Sequence, residues 1–111
     1  MSESKKYTSE NKSKNSFLNE IEDRDIVFTL FYAKWCPFSQ RFLPIFNEYK
    51  ESNPAECLIF TLDDDPEICK EYAIKYYPTL IMFKKGKVQK RLDSKPGVGL
   101  DKKQLDGFIG K

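Results

Sequence analysis

The chain has 111 residues, 40% of them hydrophobic and 32% charged, with a formal net charge of +2. That is enough chain for one domain around a single core, and its mixed charges argue against nucleic-acid binding. The apolar runs are too short to span a bilayer, three cysteines cannot make a disulfide framework, and with no histidine there is no His/Cys zinc site to build.

Residues 1 to 15 are Ser, Lys, Glu and Asn with almost no apolar content, which predicts a disordered or frayed tail and a folded domain from 16 to 111. Ser16 caps a short helix in which Phe17, Leu18 and Ile21 face inward, and Glu22-Asp23-Arg24-Asp25 ends it. The chain opens without a charged-then-apolar leader, and Phe108-Ile109-Gly110-Lys111 is no retention signal of the endoplasmic reticulum. A cytoplasmic, reducing setting is expected, unless a leader has been removed.

The apolar run Ile26 to Tyr32 reads as a buried strand. A helix follows from Pro37, a favourable first-turn residue, to Ser52, with Phe42, Leu43, Ile45, Phe46 and Tyr49 on its apolar positions. Pro44 inside it predicts a bend, and Asn53-Pro54 stops it. Cys57 to Leu62 is the next strand, expected parallel to the first through the intervening helix. Asp63-Asp64-Asp65-Pro66 opens a further helix whose apolar positions are Ile68, Cys69, Tyr72 and Ala73. Thr79 to Lys84 and Val88 to Leu92 form a hairpin around Lys85-Gly86. After the loop Asp93 to Gly99, a last helix spans Asp101 to Ile109 and packs through Leu105, Phe108 and Ile109. The order α-β-α-β-α-β-β-α predicts an α/β fold, a mixed central sheet with helices on both faces.

Cys36 lies where the first strand ends and a helix begins. The unpaired N–H groups and positive dipole end of that helix favour a thiolate, and Lys34 and Arg41 add positive charge nearby. Ser39 is three residues on and returns to the same helix face one turn later. Its hydroxyl can donate to a Cys36 thiolate but cannot attack a disulfide, because exchange needs a thiolate. Tyr77-Pro78-Thr79 reads locally as a break before a strand. Cys57 begins a strand and Cys69 sits on an apolar helix face, so both read as core residues.

The stretch Phe31-Tyr32-Ala33-Lys34-Trp35-Cys36-Pro37-Phe38-Ser39 resembles the active-site junction of thioredoxins and of the thioredoxin-like domains of protein disulfide isomerases. Pro44, eight residues after Cys36, and Tyr77-Pro78-Thr79, after a helix and before a strand, match two further family positions. The resemblance covers residues 16 to 110 and implies a thioredoxin fold acting by thiol–disulfide exchange, with Cys36 the nucleophile and no metal or cofactor. It implies an apolar lip of Trp35, Pro37 and Phe38, and a cis Tyr77–Pro78 bond. Tyr77, Pro78 and Thr79 form the substrate-side loop, and Gly97 and Val98 lie in a third substrate-contacting loop. The implied partners are protein clients with disulfides or reactive thiols, and a thioredoxin reductase or glutathione as donor, for a monomer away from membranes and nucleic acid.

Two departures bear on turnover. Family members carry a second cysteine where this chain has Ser39, the residue that resolves the mixed disulfide. They also carry a buried acid six residues before the nucleophile, with a basic residue on the neighbouring strand; here these positions are Leu30 and, close by, Ile59. Ser39 leaves open a natural monothiol site resembling thiol-retention chaperones, a Cys→Ser trapping variant of a dithiol protein, and an inactive scaffold. Cys-Pro-Phe-Ser also resembles monothiol glutaredoxins, which bind glutathione and an iron–sulfur cluster, although Trp35 and Phe31-Tyr32-Ala33 favour thioredoxin. In every active case, mixed disulfides at Cys36 are expected to persist.

Overall fold

The structure, a computed structural model, describes Asn19, Ile21, Glu22 and residues 24–110. The expected tail and most of the helix placed after Ser16 lie outside the described residues, although Ile21 is fully buried as expected.

From residue 24 onward, four strands and three helices follow in order: β1 (Ile26–Tyr32), α1 (Pro37–Ser52), β2 (Cys57–Thr61), α2 (Pro66–Glu71), β3 (Thr79–Lys84), β4 (Lys87–Asp93) and α3 (Lys102–Ile109). A single 3-10 turn, Pro54–Glu56, joins α1 to β2. The sheet runs β2-β1-β3-β4, with β1 parallel to β2 and antiparallel to β3, and β3 antiparallel to β4. This is the mixed sheet that the element order predicts. Lys85 and Gly86, at φ of 51° and 86°, turn β3 into β4 with two left-handed residues, as two-residue hairpins favour.

β1 is central, so its side chains meet a helical layer on either side, which is why its sequence is apolar almost without a break. Val27 and Phe31 join Ile81, Phe83, Ile68, Cys69 and Ile74 on the α2 face. Phe28 and Leu30 point the other way, into Phe42 and Phe46 of α1 and Leu105 and Phe108 of α3. Helices therefore cover both faces. At the β4 edge, Lys87 and Lys90 are exposed, and such cations discourage pairing with another strand. No helix among the described residues is long and apolar enough to cross a membrane.

Strand β2, strand β4 and helix α3 differ from expectation by one residue at one end or both, and the larger departure is at the end of α2. α2 ends at Glu71, and Ala73, placed on its apolar face from the sequence, is exposed with a φ of 52°. Ile74 fills the core position instead, 8% exposed. Pro44 lies inside α1 on an exposed position, and the helix continues through it to Ser52.

Candidate functional site

Cys36 is the residue before the first helical turn, with extended backbone at φ −90° and ψ 121°. Its N–H donates to Ala33 O at 3.1 Å, closing the strand-to-helix turn, and its carbonyl accepts from Gln40 N–H at 3.0 Å. Pro37 occupies the first helical position, where a missing N–H costs nothing. The first turn of α1 contains no acidic side chain. The Cys36 thiol is recessed, 8% exposed, and donates to Tyr77 O at 3.5 Å. That contact joins residues 41 apart and brings the substrate-side loop against the thiol.

The lip is uneven. Trp35 is 63% exposed and meets Tyr77 edge-on at 6.4 Å between ring centroids. Pro37 is exposed and Phe38 half-buried. Tyr76, which the sequence does not single out, is exposed next to Tyr77 in the chain. Lys34 does not present a free cation to the site: its ammonium pairs with Asp64 at 3.3 Å and its amide donates to Asp63 at 2.8 Å. Gln40 Nε2 donates to Lys34 O at 2.8 Å and ties the same turn to α1.

Ser39 is fully buried, and its Oγ accepts from Ala33 N–H at 3.2 Å. The residue at the resolving position thus braces the turn that holds Cys36, while its own O–H remains able to donate.

The Tyr77–Pro78 bond is cis, as the resemblance implies. Thr79 is fully buried and donates to Tyr76 O at 2.6 Å, so its hydroxyl shapes the turn and presents no surface to a substrate. Pro78 O accepts from Ser94 N–H at 3.3 Å, which sets the 94–100 loop next to the proline. In that loop Gly97 and Val98 are exposed, Val98 at 58%. Gly99, missing from the sequence-derived site, is buried at φ +79°, and a Cβ there would sit 2.9 Å from the Phe38 ring. The repeated glycines of Gly97-Val98-Gly99 were the available signal. Cys36, Ser39, Trp35, Phe38, Tyr77, Pro78 and this loop thus converge at one end of the sheet.

Leu30 is fully buried, paired in register with Ile59 on one side and Leu80 on the other. The acid and base positions of the resemblance are therefore adjacent and both apolar. Cys57 and Cys69 are 2% and 1% exposed and lie in the two core clusters. Burial, reinforced by the neighbouring Glu56 charge, pushes the Cys57 thiol up to about 11. Burial likewise raises the Cys69 thiol, against the lowering effect of a hydrogen bond with the Tyr77 hydroxyl.

The thioredoxin family model matches residues 8–110, starting within the stretch expected to be a tail. Thioredoxin of Rickettsia typhi is 32% identical over 94 residues, covering 82% of this chain and 87% of that protein. Endoplasmic reticulum resident protein 44 of Bos taurus is 38% identical over 79 residues, covering 64% of this chain. The chain spans about a fifth of that relative's length, 20%. Mitochondrial thioredoxin 3 of Saccharomyces cerevisiae shares the fold with a TM-score of 0.73 at 24% identity, covering 86% of this chain and 87% of that one.

Proposed function

The chain belongs to the thioredoxin family, and on that footing we propose that Cys36 exchanges with protein disulfides and stops at the mixed disulfide. The observation that carries this reading is the pairing of a lone thiol, set at a helix start against the carbonyl before a cis proline, with a buried hydroxyl one turn on. The Cys36 thiolate attacks one sulfur of a client disulfide, a Cys36–client S–S bond forms, and the other client sulfur leaves as thiolate. Ser39 cannot attack that bond, and Leu30 offers no carboxylate to take a proton.

Release then needs an external thiol, for which glutathione is proposed. Attack at the client-side sulfur frees Cys36 and leaves the client glutathionylated. Attack at the Cys36 sulfur frees the client as a dithiol and leaves Cys36 bonded to glutathione, which a second glutathione removes as glutathione disulfide. The clients are extended segments lying between Tyr77 and the 94–100 loop, and a reducing cytoplasm is the proposed setting. A second reading, a module that retains client thiols without turnover, is favoured by Ser39 serving to brace the turn.

The test is an adduct experiment. Mixed with a disulfide-containing protein, the chain is expected to give a covalent product that survives denaturing gels, vanishes with dithiothreitol and maps to Cys36. Adducts on Cys57 or Cys69, or none, would refute the assignment. Persistence of the Cys36 adduct in millimolar glutathione selects the retention reading.

A further inference from the structure

We propose that Arg41 is a specificity-determining positioning residue, a latch that fastens the 95–99 loop to the start of α1 and holds Val98 forward for extended apolar clients. This rests on Cys36 being the exchanging thiol. Arg41 projects from the first turns of α1, and its Nη2 donates to Val98 O at 3.0 Å. The same guanidinium lies over the Phe38 ring, 5.3 Å from its centroid. A planar guanidinium stacks and donates at once, which an ammonium does not reproduce.

The loop is shaped to accept this latch. Val98 and Gly99 N–H groups both donate to Lys95 O, at 3.0 and 3.2 Å, curling the loop into a tight turn. A Cβ at Gly99 would lie 2.9 Å from Phe38 Cδ1, 3.0 Å from Phe38 Cβ and 3.2 Å from Arg41 Nη2. Only a glycine lets the backbone come this close, and its φ of +79° asks for glycine independently. At its other end the loop is held by Ser94 N–H on Pro78 O at 3.3 Å. Val98, 58% exposed, therefore stands on a turn clamped from both sides. A pre-ordered apolar contact loses little entropy when a long client covers it, and a small disulfide does not reach it.

The experiment measures rates of adduct formation at Cys36 with two disulfides: a disulfide-linked peptide flanked by Leu and Phe, and bis(2-hydroxyethyl) disulfide, which is small and uncharged. The readout is the ratio of the two rates in the parent, Arg41→Met, Arg41→Lys and Gly99→Ala. The latch predicts a ratio about tenfold lower in Arg41→Met, most of that loss persisting in Arg41→Lys, and a similar fall in Gly99→Ala. Equal slowing toward both disulfides that Arg41→Lys restores would make Arg41 a charge effect and overturn the proposal, as would an unmoved ratio. A parent that forms no Cys36 adduct even with the small disulfide would instead sink the functional reading.

Discussion

Thr29 is a buried polar residue in the middle of β1 whose Oγ1 finds no hydrogen-bond partner among the described residues. A hydroxyl left dry and unpaired is destabilising, while the apolar residue of the same shape is not. Thr29→Val is expected to raise stability by about 1 kcal/mol, read as a Tm increase of roughly 4–8 °C. An unchanged or lower Tm would show the hydroxyl to be satisfied. Single residues differ in how much of their role the sequence shows. Cys36 was legible because strand, turn, Pro37 and helix are all local. The partners of Lys34 were not, because Asp63 and Asp64 reach it from 29 and 30 residues away, across the end of β2. The buried fate of Thr79 was also hidden, since its hydroxyl is claimed by the turn it helps to form.

Among the elements, α2 shows why some boundaries can be read and others cannot. β1, α1 and β3 match their expected spans because hard signals flank them: Pro37, Asn53-Pro54 and Lys85-Gly86. The end of α2 has no such signal. Ala73 N–H donates to Lys70 O at 3.1 Å and Ile74 N–H to Cys69 O at 2.9 Å, the bond pair of a left-handed helix stop in which glycine is usual. Here alanine adopts φ 52°, so a reader of residue types carries the helix too far. Arg91 on β4 steadies the stop, donating to Tyr72 O at 2.7 Å while its fork grips Asp93 at 2.8 Å. Since Ala73 is exposed, Ala73→Gly removes strain without opening the core. It is expected to stabilise by about 1 kcal/mol in urea unfolding, and a loss of stability would contradict this account of the stop.

Across the whole molecule, burial of weak acids sets the response to alkali. Burial, with Glu56 beside both, raises Cys57 to about 11 and Tyr49 to about 12, and burial also raises Cys69, Tyr72 and Tyr77. Each folded-state value lies above the unfolded one, so the unfolded chain gives up these protons first as pH rises. The stability these groups contribute is complete below about pH 9 and is lost between about 9 and 12. Thermal melting is expected to hold steady to about pH 9 and fall beyond, less steeply in Cys57→Val than in the parent. Parallel curves would mean that Cys57 plays no part. The fold class and mixed sheet were legible at this scale because β1 and β3 are near-continuous apolar runs separated by a helix-strand-helix unit. What the order of elements could not show is that the 94–100 loop returns to α1, a closure that depends on Arg41, Phe38 and Gly99 meeting in space.

The central claim is that exchange at Cys36 halts because Ser39 stands where a thiol would resolve it. Insulin reduction tests it most directly, with the parent and Ser39→Cys compared under a thioredoxin reductase system and no low-molecular-weight thiol. The parent is expected to accumulate a Cys36–insulin adduct without turnover. Ser39→Cys, with a second sulfur one helical turn from Cys36, is expected to form an internal disulfide and release its client, slowly because Leu30 supplies no carboxylate. Catalytic insulin reduction by the parent under these conditions would contradict the account.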